Sequence, residues 1–146
     1  MNELQAALKI ALANTFVMYF KAHSYHWNVE GPNFNDYHGF FGGLYDELQG
    51  AIDPIAEHIR TIDGYAPVSL MDLYDAKTVQ EDTSRILFTK QMFVNLIESN
   101  DQVIASLNKA YDLANYTKQN GLSNFIQDRL DIHAKHGWQL KSLSKG

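Results

Sequence analysis

Four of the chain's six histidines fall in one stretch, Ala22 to Asp63, together with two carboxylates one helical turn apart. His26 and His38 stand near its start, and Asp53 and Glu57 near its end. Imidazole and carboxylate together suit iron, manganese or zinc better than soft Cu(I). There is no cysteine, so disulfides, zinc ribbons and thiol chemistry are excluded. Taken singly, each feature has a plainer reading. Histidines often sit at interfaces, an acidic pair is usually a solvated helix face, and Trp27 beside His26 is first of all a packing anchor. The metal reading rests on the joint pattern: two imidazoles around a turn, then the carboxylate pair.

The elements that must position these groups read as helices. From Asn2 to Trp27, Leu4, Leu8, Leu12, Tyr19 and His26 fall on one stripe, with His23 one turn before His26. Gly31-Pro32-Asn33 is a break, so a second helix should begin near Asn33 to Asn35. Its stripe is Tyr37, Phe41, Leu44, Leu48, Ile52, Ile55, Ile59 and Ile62, without the alternation of a strand. Gly42-Gly43 weakens this helix and Pro54 should bend it near Asp53. Asp63-Gly64 and Pro67 end it, and Ser69 to Tyr74 reads as a short connecting helix. Thr78-Val79-Gln80-Glu81 has the form of a capping box. It predicts a third long helix with Ile86, Phe93, Ile97, Ile104, Leu107 and Tyr111 inward. Gln119-Asn120-Gly121 reads as a turn, and a fourth long helix as Leu122 to Leu140. The expectation is one all-α domain over residues 1–146: a four-helix bundle with a short extra helix between its second and third members.

Bulk composition agrees. The chain has 146 residues, 45% of them hydrophobic, enough for one real core. Its net charge of −5 argues against non-specific nucleic-acid binding. No apolar run approaches the roughly 20 residues of a membrane span, and Met1-Asn2-Glu3-Leu4-Gln5 lacks the basic start of a signal peptide. A cytoplasmic protein is the expectation.

At about 100° per residue, the apolar stripe of the second helix centres near roughly 15° from Tyr37, and His38, Asp53 and Glu57 lie near 100°, 160° and 200°. They share an outer face. His38 and Asp53 are fifteen residues apart, about 22 Å along the axis, so no single metal reaches both within one chain. Two such helices packed antiparallel about a two-fold axis bring one chain's imidazoles to the other's carboxylates, and symmetry makes that contact twice. The same bundle shape can carry an intrachain di-iron centre built on Glu-x-x-His. Here Glu3, Glu30, Glu47, Glu57, Glu81 and Glu98 are followed three residues on by Ala6, Asn33, Gly50, Arg60, Ser84 and Asp101, so that motif is absent.

His26-Trp27-Asn28-Val29-Glu30-Gly31-Pro32-Asn33-Phe34, then His38, then Asp53 with Ala56-Glu57 and Ile59-Arg60, resembles the Dps family of mini-ferritins. Asp128-Arg129-Leu130, His133, Lys135 and Trp138 resemble the family's last helix, so the likeness covers nearly the whole chain. The resemblance implies a homo-oligomeric shell, a dodecamer built on two-fold dimers. Ferroxidase sites at those interfaces oxidise Fe(II), preferably with hydrogen peroxide, and ferric mineral is stored inside. It implies His26 and His38 as imidazole ligands, Asp53 and Glu57 as the partner subunit's carboxylate ligands, and Trp27 as the aromatic beside the site. Iron is the implied metal, with zinc the other ion the same ligands suit.

The chain departs from the family pattern in three places. The usual aspartate one turn after the second histidine is Gly42, with His23 and Asp46 as candidates to compensate. The turn before the last helix, acidic in the family where it lines an iron pore, is neutral through Asn124, leaving Asp128 and Asp131 to supply negative potential. The lysine-rich tail of DNA-binding members is missing: the first basic residue is Lys9, and only Lys141 and Lys145 mark the other end. Weak or absent DNA binding is therefore expected. The alternative function is a shell that has lost efficient ferroxidase activity and serves metal sequestration or structure. Outside this set, His58 reads as surface, His133 and His136 as a packed or exposed pair, and Arg60 as structural.

Overall fold

A computed structural model describes residues 1–85 and 87–145. The helices are α1 (Glu3–Asn28), α2 (Phe34–Thr61), α3 (Leu70–Ala76), α4 (Thr89–Tyr116) and α5 (Asn120–Ser144). α1 packs against α2, α4 and α3, and α4 packs against α5. This is the expected bundle with its short helix in the long connection.

α1 starts where its side chains can satisfy its free amide groups. Asn2 accepts from the Gln5 N–H, and the Gln5 side chain accepts from the Asn2 N–H, a reciprocal cap that the apolar period alone does not show. α2 begins one residue after Asn33 and runs unbroken through Pro54. A proline there leaves the Gly50 carbonyl without its intrahelical donor. Burial along α2 follows the stripe: Phe41, Leu44, Leu48, Ile55 and Ile59 are buried, and Tyr37, Ile52 and Ile62 partly so. Phe93, Leu107 and Ile126 complete the same core from α4 and α5. Ser69 caps α3 by accepting from the Asp72 N–H.

Two expectations fail. Thr78 does not open the third long helix. α4 starts at Thr89, and Ile86, expected in its stripe, lies outside the described residues. Thr78 is instead held by α1. Asn14, fully buried, accepts from the Thr78 and Val79 N–H groups at 2.7 and 3.0 Å and donates to the Thr78 hydroxyl. These bonds compete with helical ones and win because they also bury Val79. The second correction is at Gln119-Asn120-Gly121. The turn falls earlier, at Thr117 and Lys118, where Lys118 takes φ 59°, and α5 begins at Asn120.

Candidate metal centre

The last turns of α1 and the first turns of α2 bring His26 and His38 face to face, their rings stacked 3.7 Å apart. Each ring is tied to the other's backbone. His26 Nδ1 donates to the His38 carbonyl and His38 Nδ1 to the His26 carbonyl, both at 2.7 Å. A carbonyl only accepts, so each Nδ1 carries a proton, and in the neutral ring that puts the free lone pair on Nε2. This is the tautomer a metal needs, fixed by the backbone before any metal arrives.

Gly42 underlies this arrangement. A Cβ at Gly42 would meet His26 Cε1 at 3.2 Å and Nδ1 at 3.3 Å, so the missing side chain makes room for the imidazole. Phe34 stacks on the other side of His38, and Tyr45 meets His26 edge-on at 5.1 Å. Tyr45 follows His38 by seven residues, two turns along one helix face, and that spacing is the sequence signal for its place beside the site.

His23 belongs to this aromatic cluster. Its ring stacks on Tyr45 at 3.9 Å and lies 4.1 Å from Trp27, and its Nδ1 shares a hydrogen bond with the Tyr19 hydroxyl. Burial, and then the neighbouring His26, lower its pKa. Trp27 is exposed, and its ring lies against those of His23 and Phe20.

Asp53 and Glu57 lie exposed on α2, away from the imidazoles. A hydrogen bond to Asp53, and then its negative charge, raise the Glu57 carboxyl. Neither carboxylate has an ion-pair partner among the described residues. Asp46 shares their face two turns earlier, exposed and without a side-chain hydrogen bond among the described residues. Within one chain, no group of three or more His, Asp or Glu side chains converges to hold a metal among the described residues. Asp128 and Asp131 are exposed on α5, and Asp131 faces Lys135 at 3.9 Å. Arg60 donates to the Gly64 carbonyl and covers the Tyr65 ring. His58 is a correction: it is half-buried against Phe125 at 4.4 Å rather than free on the surface.

His133 and His136 are both buried, in a polar cluster that spacing alone does not reveal. Glu47 of α2 meets Arg129 and His136 of α5. His133 Nδ1 donates to Asn100 Oδ1, and its Nε2 accepts from Arg129. Burial, reinforced by the Arg129 charge, lowers His133 to about 3. Burial by itself would raise Glu47, but hydrogen bonds from His136 and Arg129 outweigh it and hold the carboxyl at about 2.

A family model of ferritin-like domains matches residues 5–145. The Dps of Thermosynechococcus elongatus superposes with a TM-score of 0.93 at 30% identity, over 99% of this chain and 92% of that one. The chain belongs to the Dps family of ferritin-like proteins. Among curated relatives, general stress protein 20U of Bacillus subtilis is 31% identical over 97% of each chain. The Vibrio cholerae Dps, described as a member of a broad superfamily of ferritin-like diiron-carboxylate proteins, is 28% identical with a TM-score of 0.92, over 98% of this chain and 89% of that one. The all-α Dps bundle is thus the fold of this chain, and no described helix is long and apolar enough to cross a membrane.

Proposed function

We propose that this Dps protein is an iron-storage and detoxification protein. It oxidises Fe(II), preferentially with hydrogen peroxide, at sites between subunits, and stores the ferric product inside a dodecameric shell. The observation that carries this reading is the reciprocal pairing of His26 and His38, which commits both Nδ1 atoms to backbone carbonyls and leaves both Nε2 atoms without a hydrogen-bond partner among the described residues. Asp53 and Glu57 supply the complementary half: two adjacent carboxylates without a cation among the described residues. Such a pair gains most from a metal, because each carboxylate destabilises the ionised form of the other.

Iron is the substrate. His26 and His38 of one subunit bind it through Nε2, while Asp53 and Glu57 of the partner subunit bind it through oxygen. Carboxylates favour the higher charge of Fe(III), so the ligand set draws the oxidation forward. Each peroxide takes one electron from each of two Fe(II) ions, so holding metal and oxidant together is most of the chemistry. Gly42 leaves the site with one carboxylate fewer than the family pattern, and a zinc-holding or sequestering shell with weak ferroxidase activity is the second reading. DNA binding is weak or absent, since the net charge is −5.

The test adds hydrogen peroxide to the purified shell loaded anaerobically with Fe(II) and follows ferric absorbance against His26→Ala. Fast, His26-dependent oxidation that keeps iron soluble with the protein supports the ferroxidase. Oxidation no faster than in the variant, with ferric precipitate outside, supports the second reading.

A further inference from the structure

In two places a glycine follows an asparagine or an aspartate: Asp63-Gly64 and Asn120-Gly121. In such a pair the glycine amide nitrogen can attack the preceding side-chain carbonyl carbon and close a succinimide ring, because glycine has no Cβ to hinder the approach. The structure treats the two pairs differently. The Gly64 N–H donates to the Ile59 carbonyl at 3.0 Å, and a Cβ at Gly64 would meet Gln5 and Ile59 at 2.9 Å, so this glycine is tied and enclosed. The Gly121 N–H has no acceptor among the described residues, since it lies in the first turn of α5, where a helix leaves its amides free. Nothing lies within 4 Å of the place a Gly121 Cβ would take. Asn120 and Gly121 are both exposed. The first turn of α5 holds no acidic residue. The helix macrodipole puts partial positive charge there, which favours loss of the Gly121 amide proton and stabilises a carboxylate formed beside it.

We propose that Asn120-Gly121 is a site of spontaneous covalent modification, at which water converts the Asn120 side-chain amide to a carboxylate in the first turn of α5. The deprotonated Gly121 nitrogen attacks Asn120 Cγ and forms the new C–N bond. The Cγ–Nδ2 bond breaks, and Nδ2 leaves as ammonia with a proton taken from water. A water molecule then opens the ring at either carbonyl, giving aspartate or isoaspartate. One water is consumed and one ammonia released, and nothing is oxidised or reduced. The ring closure asks only the first residue of α5 to rotate. The bond at risk is the one from the Ser123 N–H to the Gln119 carbonyl, and helix ends open more readily than interiors. Each conversion adds one negative charge to a chain encoded at −5 and makes the neutral Gln119-Asn120-Gly121 segment acidic.

The test incubates the purified protein in warm, mildly alkaline buffer and follows it by isoelectric focusing and by mass spectrometry of its peptides. In the folded protein, Asn120 should convert severalfold faster than every other asparagine, with both aspartate and isoaspartate appearing at that position. Isoaspartate at Asp63 should form only when the chain is unfolded in urea, because unfolding frees the Gly64 N–H. Gly121→Ala, whose methyl group meets nothing within 4 Å, should fold normally and slow the conversion of Asn120 severalfold. Asn120 reacting no faster than the other asparagines overturns the proposal, and so does a Gly121→Ala protein that converts at the native rate. Aspartate without isoaspartate overturns it too, because no ring would then have formed. Isoaspartate accumulating in the folded protein as fast at Asp63 as at Asn120 overturns the part assigned to the free amide. The measurements on the native chain decide without any variant having to fold.

Discussion

At the scale of single residues, the sequence shows which groups bear chemistry but not how their protons are held. Spacing pointed to His26 and His38. The paired bonds from Nδ1 to backbone carbonyl, which select the tautomer, depend on where two helix ends meet. Gly42 changes meaning for the same reason. In sequence it is an absent aspartate. In the structure it is the space beneath an imidazole. Gly42→Ala should therefore slow iron oxidation severalfold by displacing His26, even though alanine is the better helix former by about 1 kcal/mol. Gly39→Ala, whose methyl group meets nothing within 4 Å, should leave the rate unchanged. Equal rates for both variants would mean that the glycine has no part in the site. A pH effect belongs to this scale as well. His133 titrates near 3 in the folded protein against an ordinary 6.5, so the unfolded chain binds its proton first. The stability it contributes is complete above about pH 6.5 and is lost as pH falls towards 3, on the order of several kcal/mol. Glu47, held near 2 against 4.5, adds a loss in the same direction below about pH 4.5. His133→Gln keeps a partner for Asn100 and removes the titration. Its urea midpoint should fall less steeply than that of the native protein between pH 6.5 and 4.5.

At the scale of elements, periodicity was enough wherever burial was one-sided. The α2 stripe is legible because each fourth or third residue meets the same core, and its start is legible because Pro32 and Asn33 set it. The segment from Thr78 to Phe88 was not legible, because its partners are distant in sequence. Asn14 reaches across 64 residues to Thr78, and Tyr25 across 57 to Asp82. Lys21, buried and lowered in pKa by that burial, reaches the Gln80 carbonyl and the Ser99 hydroxyl. A local capping pattern cannot register bonds of that range. Asn14→Leu should strand the Thr78 and Val79 N–H groups, at about 1–3 kcal/mol each. Hydrogen exchange at those amides should accelerate markedly while amides in the middle of α1 and α4 stay protected. Unchanged exchange at 78 and 79 would show that some other group carries this segment. The interior cluster was missed for a related reason. A scan for Glu-x-x-His looks along one helix, whereas Glu47 and His136 meet across two.

At the scale of the whole molecule, the described residues of one chain form a bundle but bring no three His, Asp or Glu side chains together to hold a metal. On the outer face of α2, Gly39, Gly43 and Gly50 share roughly the sector of Asp53 and Glu57 and meet nothing within 4 Å, so two copies of the helix can approach closely there. If imidazoles and carboxylates of one site come from different subunits, mutations in the two halves must complement each other. His38→Ala and Glu57→Ala shells should each oxidise iron slowly. In shells reassembled from an equal mixture of the two, about half of the dimers contain one of each subunit. Each such dimer pairs the intact imidazoles of one chain with the intact carboxylates of the other at one site and combines both defects at the second. About a quarter of all sites should then be whole, and peroxide-driven oxidation should return to about a quarter of the native rate. Ligand sets contained within one chain cannot complement at all, because every chain in the mixture carries one lesion. A mixture as slow as its two parents would therefore remove the intersubunit site while leaving the Dps bundle untouched.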